Sequence, residues 1–275
     1  MVRHSRYIKL PNDVVLPYFE QGDSSGVPLV LLHAIADSQL IFEPLMSHLP
    51  ETIHALAITQ RGHGNASKPQ SGYRSRNFAD DLVLFMDALH LEKAAIVGGS
   101  SGGLIARRFA IDHPERVSKL ILLGVPATLF DKPAVSELWR STVSKMTDPI
   151  DAAFVRAFAE ATLPHQLPPG LFETLLQENL KVPANVWKGI WEGFFQEDES
   201  ELSRITAPTL ILWGERDDVI PRSDQELLLQ SISGSRLVVY GSAAHVPYLE
   251  FPKQVATDIA KFITETSGTR QREEQ

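Results

Sequence analysis

The fold is decided by Ile96-Val97-Gly98-Gly99-Ser100-Ser101-Gly102-Gly103, a stretch in which two serines lie between two pairs of glycines. Residues 94–98 are short, apolar and partly β-branched, as is typical of a buried parallel strand. Residues 104–110 have a wide apolar face, and His113-Pro114 follows where a helix is expected to end. Strand, tight turn and helix form the context of a nucleophile elbow, in which glycines leave room for a turn that presents a serine hydroxyl.

Two serines fit the Gly-x-Ser-x-Gly pattern of such a turn. The frame that begins at Gly98 starts where the strand ends, and it leaves Gly103 as a small residue where helix and strand pack closely. We therefore favour Ser100 as the nucleophile and keep Ser101 as the alternative. In the favoured frame the backbone N–H of Ser101 lies at the start of the helix, where it can stabilise an oxyanion.

The rest of the chain alternates short apolar runs with helical patterns. This alternation predicts βαβ units and a mostly parallel central sheet flanked by helices. The predicted strands are 7–10, 14–19, 28–33, 54–59, 94–98, 117–123, 208–213 and 236–240. Helices are predicted at 42–49, 77–89 and 252–263.

Between residues 125 and 205 the strand pattern stops. Four consecutive helices are predicted there, at 136–146, 148–161, 171–180 and 184–195, with Pro149 in the first turn of the second helix. A helical block inside an alternating chain indicates an inserted all-helical cap. We expect 1–126 and 206–267 to form the core, 127–205 to form the cap, and 268–275 to be a disordered tail.

A catalytic serine needs a base that a third group orients. Residues 209–213 predict a strand that is followed by Gly214 and Asp217. The next predicted strand, 236–240, is followed by a loop that contains His245. Serine, acid and histidine thus come in that order, each just after a strand. Asp218 is a second candidate for the acid.

These residues and their order resemble the alpha/beta-hydrolase family over nearly the whole chain. The family's loops and turns have counterparts at His33-Ala34-Ile35-Ala36, Arg61-Gly62-His63-Gly64, Gly214-Glu215-Arg216-Asp217 and 244–252. The resemblance implies an α/β fold with a helical cap inserted into it.

The resemblance also implies a role for each site residue. Ser100 would attack, His245 would act as general base and then as general acid, and Asp217 would hold the imidazole tautomer. The N–H groups of Ile35 and Ser101 would form the oxyanion hole.

The sequence departs from the family's usual pattern at Ala34. The family usually has glycine there, which tolerates a positive φ that alanine adopts only with strain. Either the loop takes another path, or strain is tolerated beside the site.

Four aromatic residues of the last predicted cap helix are candidates for a substrate-binding wall: Trp187, Trp191, Phe194 and Phe195. An apolar wall over Ser100 would bind the acyl or alcohol part of a substrate. The alternative is that these side chains pack the cap onto the core.

Composition restricts the partners. A net charge of −8 argues against sequence-independent binding of nucleic acid and against an anionic membrane surface. The chain has no cysteine, which excludes disulfides and thiol chemistry and fits a reducing cytoplasm. The sequence shows neither the apolar core of a signal peptide nor a run of transmembrane length. We therefore expect a cytoplasmic protein with no membrane partner, whose oligomeric state the sequence does not predict.

The leading functional hypothesis is hydrolysis of carboxylic esters or lactones of apolar small molecules through an acyl-serine. A serine at the elbow disfavours epoxide and haloalkane hydrolysis, for which relatives use aspartate. C–C bond hydrolysis, amide hydrolysis and cofactor-free peroxyacid formation use the same triad and remain alternatives, as does a non-catalytic small-molecule receptor. No metal or organic cofactor is expected, because the histidines are scattered and no Gly-x-Gly-x-x-Gly follows a first strand.

Overall fold

The computed structural model describes residues 4–129, 131–164, 166–197 and 199–265 of the chain. The predicted tail at 268–275 lies outside these residues. In the part described, the strands are β1 (Arg6–Lys9), β2 (Val15–Gln21), β3 (Val27–Leu32), β4 (Ile53–Ile58), β5 (Ala94–Gly99), β6 (Val117–Leu123), β7 (Thr209–Gly214) and β8 (Arg236–Tyr240). The α-helices are α1 (Glu43–Met46), α2 (Ser75–Ala88), α3 (Gly102–Asp112), α4 (Pro133–Ser141), α5 (Ala152–Thr162), α6 (Leu171–Asn179), α7 (Ala184–Phe194), α8 (Arg222–Ser231), α9 (Pro247–Glu250) and α10 (Pro252–Thr264).

The described strands form one sheet in the order β1-β2-β4-β3-β5-β6-β7-β8. β1 pairs antiparallel with β2, and β2 pairs antiparallel with β4. All the other neighbours are parallel. The predicted α/β fold, with a mostly parallel sheet flanked by helices, is therefore confirmed.

Both faces of the central strands are buried, as expected for parallel strands that helices cover. Successive side chains of a strand point to opposite faces. Ile96 accordingly packs into one hydrophobic core, together with Phe109 of α3. Its neighbour Val97 packs into a second core on the other face, together with Leu45 of α1 and Ile259 of α10. This burial fixes β5, and hence the turn that follows it, at the centre of the sheet.

Helices α4–α7 lie between β6 and β7, where the sequence predicts an inserted helical block. The predicted helix 136–146 is instead α4 followed by the short 3-10 helix Val143–Lys145. The prediction that Pro149 lies in the first turn of the next helix is wrong, because α5 begins only at Ala152. The Asp151 side chain accepts a hydrogen bond from the backbone N–H of Ala153, so this N-cap fixes the start of α5.

Helix α8 was not predicted. Its three leucines, residues 227–229, are consecutive rather than spaced three or four apart, so the helical period is weak in the sequence. Leu228 is buried and Leu229 is exposed. Over the residues that the structure describes, none of the helices is both long and apolar enough to cross a membrane.

Candidate active site

The turn between β5 and α3 carries Ser100 in a strained backbone conformation. Its φ is 47°, in the left-handed region that a residue with a side chain rarely adopts. The glycines around it allow close approach: a Cβ atom on Gly98 would lie 2.5 Å from the Cα of Gly103. The backbone N–H of Ser100 donates to the carbonyl oxygen of Leu123, which ties the turn to β6. These contacts hold the Ser100 side chain at the carboxyl end of the sheet.

The structure brings Ser100, Asp217 and His245 together. Ser100 Oγ lies 3.0 Å from His245 Nε2, and His245 Nδ1 lies 2.9 Å from Asp217 Oδ2. Asp217 and His245 are both buried. The three residues follow β5, β7 and β8, and loops at the carboxyl ends of parallel strands commonly form such sites. The chain of contacts can move a proton from the serine hydroxyl to the imidazole, with the carboxylate fixing the ring.

Asp217 is held in place by its own turn. Its second oxygen, Oδ1, accepts hydrogen bonds from the backbone N–H groups of Val219 and Ile220 at 2.9 and 2.8 Å. Gly214 is required at the end of β7, since a Cβ atom there would lie 2.1 Å from the carbonyl oxygen of Ala244. Asp218, the alternative acid, is exposed. Its carboxyl makes no hydrogen bond with His245, whose two ring nitrogens lie against Asp217 and Ser100.

Glu250 is a residue of this site that the sequence analysis missed. Its carboxylate oxygens accept the backbone N–H of Ala244 at 2.9 and 3.1 Å, directly before His245. Burial raises the pKa of Glu250, and its bonds to the backbone act in the opposite direction. The signal available in the sequence was a glutamate five residues after His245, in the segment 244–252. Glu250 anchors the loop that carries the imidazole.

The loop after β3 brings Ile35 next to Ser101, as the resemblance implies. The Ile35 N–H does not point into free space, however, because it donates to Ser101 Oγ at 2.8 Å. The strain expected at Ala34 occurs two residues later: Ala36 has a φ of 70°, and Ala34 is not among the residues with positive φ. The positive-φ strain of this loop therefore lies at Ala36 and not at Ala34.

His33 fixes the start of the same loop. Its Nδ1 lies 2.7 Å from the carbonyl oxygen of Ala34, and its Nε2 accepts the backbone N–H of Gln60 at 3.0 Å. Burial lowers the pKa of His33 well below its usual value, with the nearby His63 adding to the effect. His33 is therefore a neutral, structural histidine.

A cavity of about 370 Å³ lies at Ser100. Its apolar lining includes Leu138, Phe158, Leu163, Trp191 and Phe194. Its polar lining includes Asp37, Ser100, Ser101, Asp218, His245 and Tyr248. The apolar side chains named come from or follow the inserted helices, and the polar ones come from the loops that follow the strands and from α9. This division suits a substrate with a bulky apolar part and a reactive carbonyl.

The four aromatic candidates for a substrate wall separate into two pairs. Trp191 and Phe194 line the cavity. Trp187 lies behind this surface, fully buried and edge-on to Phe154 and Phe158. Phe195 also lies behind it, against Trp191 and Trp139. Helical periodicity placed them all near one face, but only docking of α7 against α5 decides which rings reach the cavity.

Asp37 is a second residue that the sequence analysis missed. It lines the cavity, and burial raises its pKa to about 7. A carboxylic acid shortly after the carboxyl end of a parallel strand was the only signal. Within the described ranges, no group of three or more histidine, aspartate or glutamate side chains could hold a metal ion.

Comparison with known proteins identifies the family. The family model described as alpha/beta hydrolase fold matches residues 27–252, so the chain belongs to the alpha/beta hydrolases. The AB hydrolase superfamily protein YisY of Bacillus subtilis (strain 168) is 30% identical over 266 residues, which cover 93% of this chain and 98% of that protein. Lipase 3 of Moraxella sp. (strain TA144) is 29% identical, covering 89% of this chain and 80% of that protein.

A solved structure agrees with this assignment. The crystal structure of an esterase from Rhodococcus sp. ECU1013 is 26% identical in sequence and superposes with a TM-score of 0.82. The superposition covers 95% of this chain and 98% of that one. Family, fold and neighbours together make the protein a hydrolase of the alpha/beta class.

Proposed function

We propose that the chain is a serine hydrolase that cleaves carboxylic esters or lactones of apolar small molecules through an acyl-serine intermediate. The observation that carries the proposal is the relay from Ser100 Oγ through His245 to Asp217, with contacts of 3.0 and 2.9 Å. Esterase and lipase relatives support the same class of reaction.

The first half of the reaction forms the acyl-serine. Ser100 Oγ attacks the ester carbonyl carbon while His245 Nε2 takes the hydroxyl proton. The carbonyl oxygen becomes an oxyanion that backbone N–H groups stabilise. When the intermediate collapses, the bond from carbon to the alkoxy oxygen breaks, and His245 returns the proton to the leaving alcohol. Asp217 keeps the ring in the tautomer that this transfer requires.

The second half returns the free enzyme. Water gives a proton to His245 Nε2 and attacks the acyl carbon, and the bond to Ser100 Oγ then breaks with return of that proton to the serine. The acid leaves, or a hydroxy acid when the substrate is a lactone. The proton that leaves with the alcohol in the first half is replaced by one from water in the second half, so Ser100 and His245 regain their starting protonation.

The oxyanion hole has two candidate donors. The backbone N–H of Ser101 lies at the start of α3, where the helix favours negative charge. The Ile35 N–H reaches the same region, where the Ser101 hydroxyl accepts it. Helices α4–α7 act as a cap in this proposal, because Trp191 and Phe194 turn apolar surface toward the cavity and exclude water.

Turnover of a chromogenic short-chain ester tests this function. We expect the protein to hydrolyse 4-nitrophenyl butanoate with saturation kinetics, and we expect Ser100→Ala to remove that activity. A matched control is Ser235→Ala. Ser235 is in the turn before β8, and its hydroxyl donates a hydrogen bond to the backbone carbonyl oxygen of Leu229 at an exposed position. A small-molecule receptor of the same fold would bind the ester without turning it over, and an amidase would prefer the matching anilide.

A further inference from the structure

Asp37 is a carboxylic acid on the wall of the cavity at Ser100 that the ester chemistry above does not use. It belongs to the loop after β3, and only 6% of its surface is exposed. Buried carboxylates in proteins are usually paired with a cation or accept several hydrogen bonds, because burial of a lone charge is costly. The surroundings of Asp37 provide little of either.

One side chain of the described residues hydrogen-bonds to the Asp37 carboxyl. Asn179 Nδ2, at the end of α6, donates to Asp37 Oδ1 at 3.3 Å. The same nitrogen donates to the carbonyl oxygen of Ala36 at 3.0 Å, which is the shorter bond. Burial raises the pKa of Asp37, and the bond from Asn179 is what opposes that rise. Oδ2 has no hydrogen-bond donor within the part of the chain that the structure describes.

Tyr248 lies on the same cavity wall and close to Asp37. Burial raises the pKa of Tyr248 well above its usual range, and the negative charge of Asp37 adds to this effect. Its hydroxyl is therefore a neutral group that can donate and accept. It lies directly against the turn of Ser100, since a Cβ atom on Gly99 would come within 2.7 Å of the tyrosine oxygen.

Asp37 and Tyr248 form a polar region of the cavity wall near the nucleophile, in addition to Ser100, Ser101, Asp218 and His245. Trp191 and Phe194, which line the same cavity, offer no charge to a ligand. A ligand that fills the cavity would leave Asp37 Oδ2 unpaired unless it supplies a hydrogen-bond donor there. A neutral hydroxyl suits both neighbours, because it can donate to the carboxylate and accept from the phenol.

We propose that Asp37 and Tyr248 form a subsite for a hydroxyl group of the substrate, so that preferred esters carry a hydroxyl beside the scissile bond. The inference rests on the proposed esterase function, because the subsite selects substrates only if Ser100 is the nucleophile beside it. It adds a substrate class to that function, namely esters that carry a hydroxyl group rather than esters with unsubstituted alkyl groups.

Pairs of esters that differ only in hydroxyl against methyl test this subsite. On the alcohol side, 2-hydroxyethyl, 3-hydroxypropyl and 4-hydroxybutyl butanoates are matched with propyl, butyl and pentyl butanoates. On the acyl side, ethyl 3-hydroxybutanoate is matched with ethyl 3-methylbutanoate. Acid release at about pH 8 gives kcat/KM for each ester. We expect at least one hydroxylated member to be preferred by about ten-fold or more, the range for a hydrogen bond to a charged group.

Substitutions at Asp37 and Tyr248 test whether the subsite causes the preference for hydroxylated esters. In Asp37→Leu the new side chain has nearly the same shape as aspartate and no polar atoms. Asn179 can keep its hydrogen bond to the carbonyl oxygen of Ala36 in this variant. We expect the ratio of hydroxyl to methyl ester to fall about ten-fold in Asp37→Leu, and to fall less in Asp37→Asn and Tyr248→Phe. Asp218→Leu is the matched control, a second carboxyl on the cavity wall, and it should keep the parent's ratio.

Several outcomes would overturn the subsite. The parent could hydrolyse the alkyl esters without preferring any hydroxylated partner, or Asp37→Leu could keep the preference, or Asp218→Leu could lose it. If Asp37→Leu does not fold, Asp37→Asn and Tyr248→Phe decide, and an unchanged ratio in both contradicts the proposal. Failure of the esterase function is recognised separately, because the parent would then neither hydrolyse the alkyl esters nor react with a fluorophosphonate at Ser100. That result would overturn both proposals.

Discussion

The backbone N–H of Ile35 donates a hydrogen bond to the hydroxyl oxygen of Ser101 at 2.8 Å, across 66 positions of the sequence. One proposed oxyanion donor is thus occupied by the side chain of the residue that supplies the other. Either the Ser101 hydroxyl turns away when an oxyanion forms, or its own O–H takes part in stabilising the charge.

This contact leads to a prediction for Ser101→Ala. Alanine keeps the backbone N–H of residue 101 and leaves the Ile35 N–H free to meet the oxyanion. We expect kcat for a short-chain ester to stay within about ten-fold of the parent, because loss of a whole oxyanion donor costs about 10²–10³-fold. Steady-state kinetics of Ser101→Ala beside Ser100→Ala check this. A loss of about 10²-fold or more in Ser101→Ala would show that the hydroxyl itself is needed.

Asp217 is expected to matter far more than its neighbour Asp218. Asp217→Asn should lower kcat on the order of 10⁴-fold, by analogy with serine-protease triads, because the amide stabilises the wrong imidazole tautomer. Asp218→Asn should lose much less, since that carboxyl is exposed and makes no contact with His245. The two variants share one assay. Equal losses, or a larger loss in Asp218→Asn, would contradict the assignment of the acid.

The buried carboxyl of Asp37 predicts a pH dependence of stability. Its pKa is raised from 3.8 in an exposed aspartate to about 7 in the folded chain. The folded state therefore holds this proton more tightly, and the contribution of Asp37 to stability falls as the pH rises from about 4 to about 7. Asp37→Asn removes the titration and keeps an acceptor for Asn179.

Thermal or urea unfolding of Asp37→Asn and the parent between about pH 4 and pH 8 measures this effect. The stability of the variant relative to the parent should increase over that range, by about 4 kcal/mol at most. Other titrating groups are common to both proteins and cancel in the difference. A difference that stays constant with pH would mean that Asp37 titrates normally in the folded protein.

Trp191 is expected to set substrate choice without taking part in the chemistry. Trp191→Ala removes a ring that lines the cavity, so it should change the ranking of short against bulky acyl esters. Reaction of Ser100 with a small fluorophosphonate should persist. Folding must be verified first, because loss of a buried tryptophan costs about 3–5 kcal/mol. Phe195→Leu, behind the cavity surface, is the control that should keep the ranking. An unchanged ranking in folded Trp191→Ala would mean that the ring only packs the insertion.

Much of the site could be predicted because it depends on local sequence. Glycine and serine after an apolar strand indicate the turn of Ser100, and Asp217 and His245 each follow a predicted strand. The carboxyl ends of parallel strands then bring these distant residues to one edge of the sheet. The mostly parallel sheet follows from the alternation of strands and helices, and the inserted helices follow from its interruption between residues 125 and 205.

Other features depend on contacts that no local pattern encodes. Asp37 is buried, and the side chain that hydrogen-bonds to it, Asn179, lies 142 positions later in the chain. The Ser101 hydroxyl meets Ile35 only once β3 and α3 are packed together. Trp187 and Trp191 look alike on a helical projection, and the docking of α7 separates them. Such contacts between distant residues decide the cavity, which is why the substrate class does not follow from the motifs.

The most direct test of the central claim is to locate the covalent intermediate. The parent, stopped with acid during turnover of a slowly deacylating 4-nitrophenyl ester, should gain the mass of one acyl group. Peptide mass spectrometry should place this group on the Ser100 side chain, and Ser100→Ala should gain none under the same conditions. An acyl group on Ser101, or ester turnover by Ser100→Ala at the parent's rate, would contradict the account.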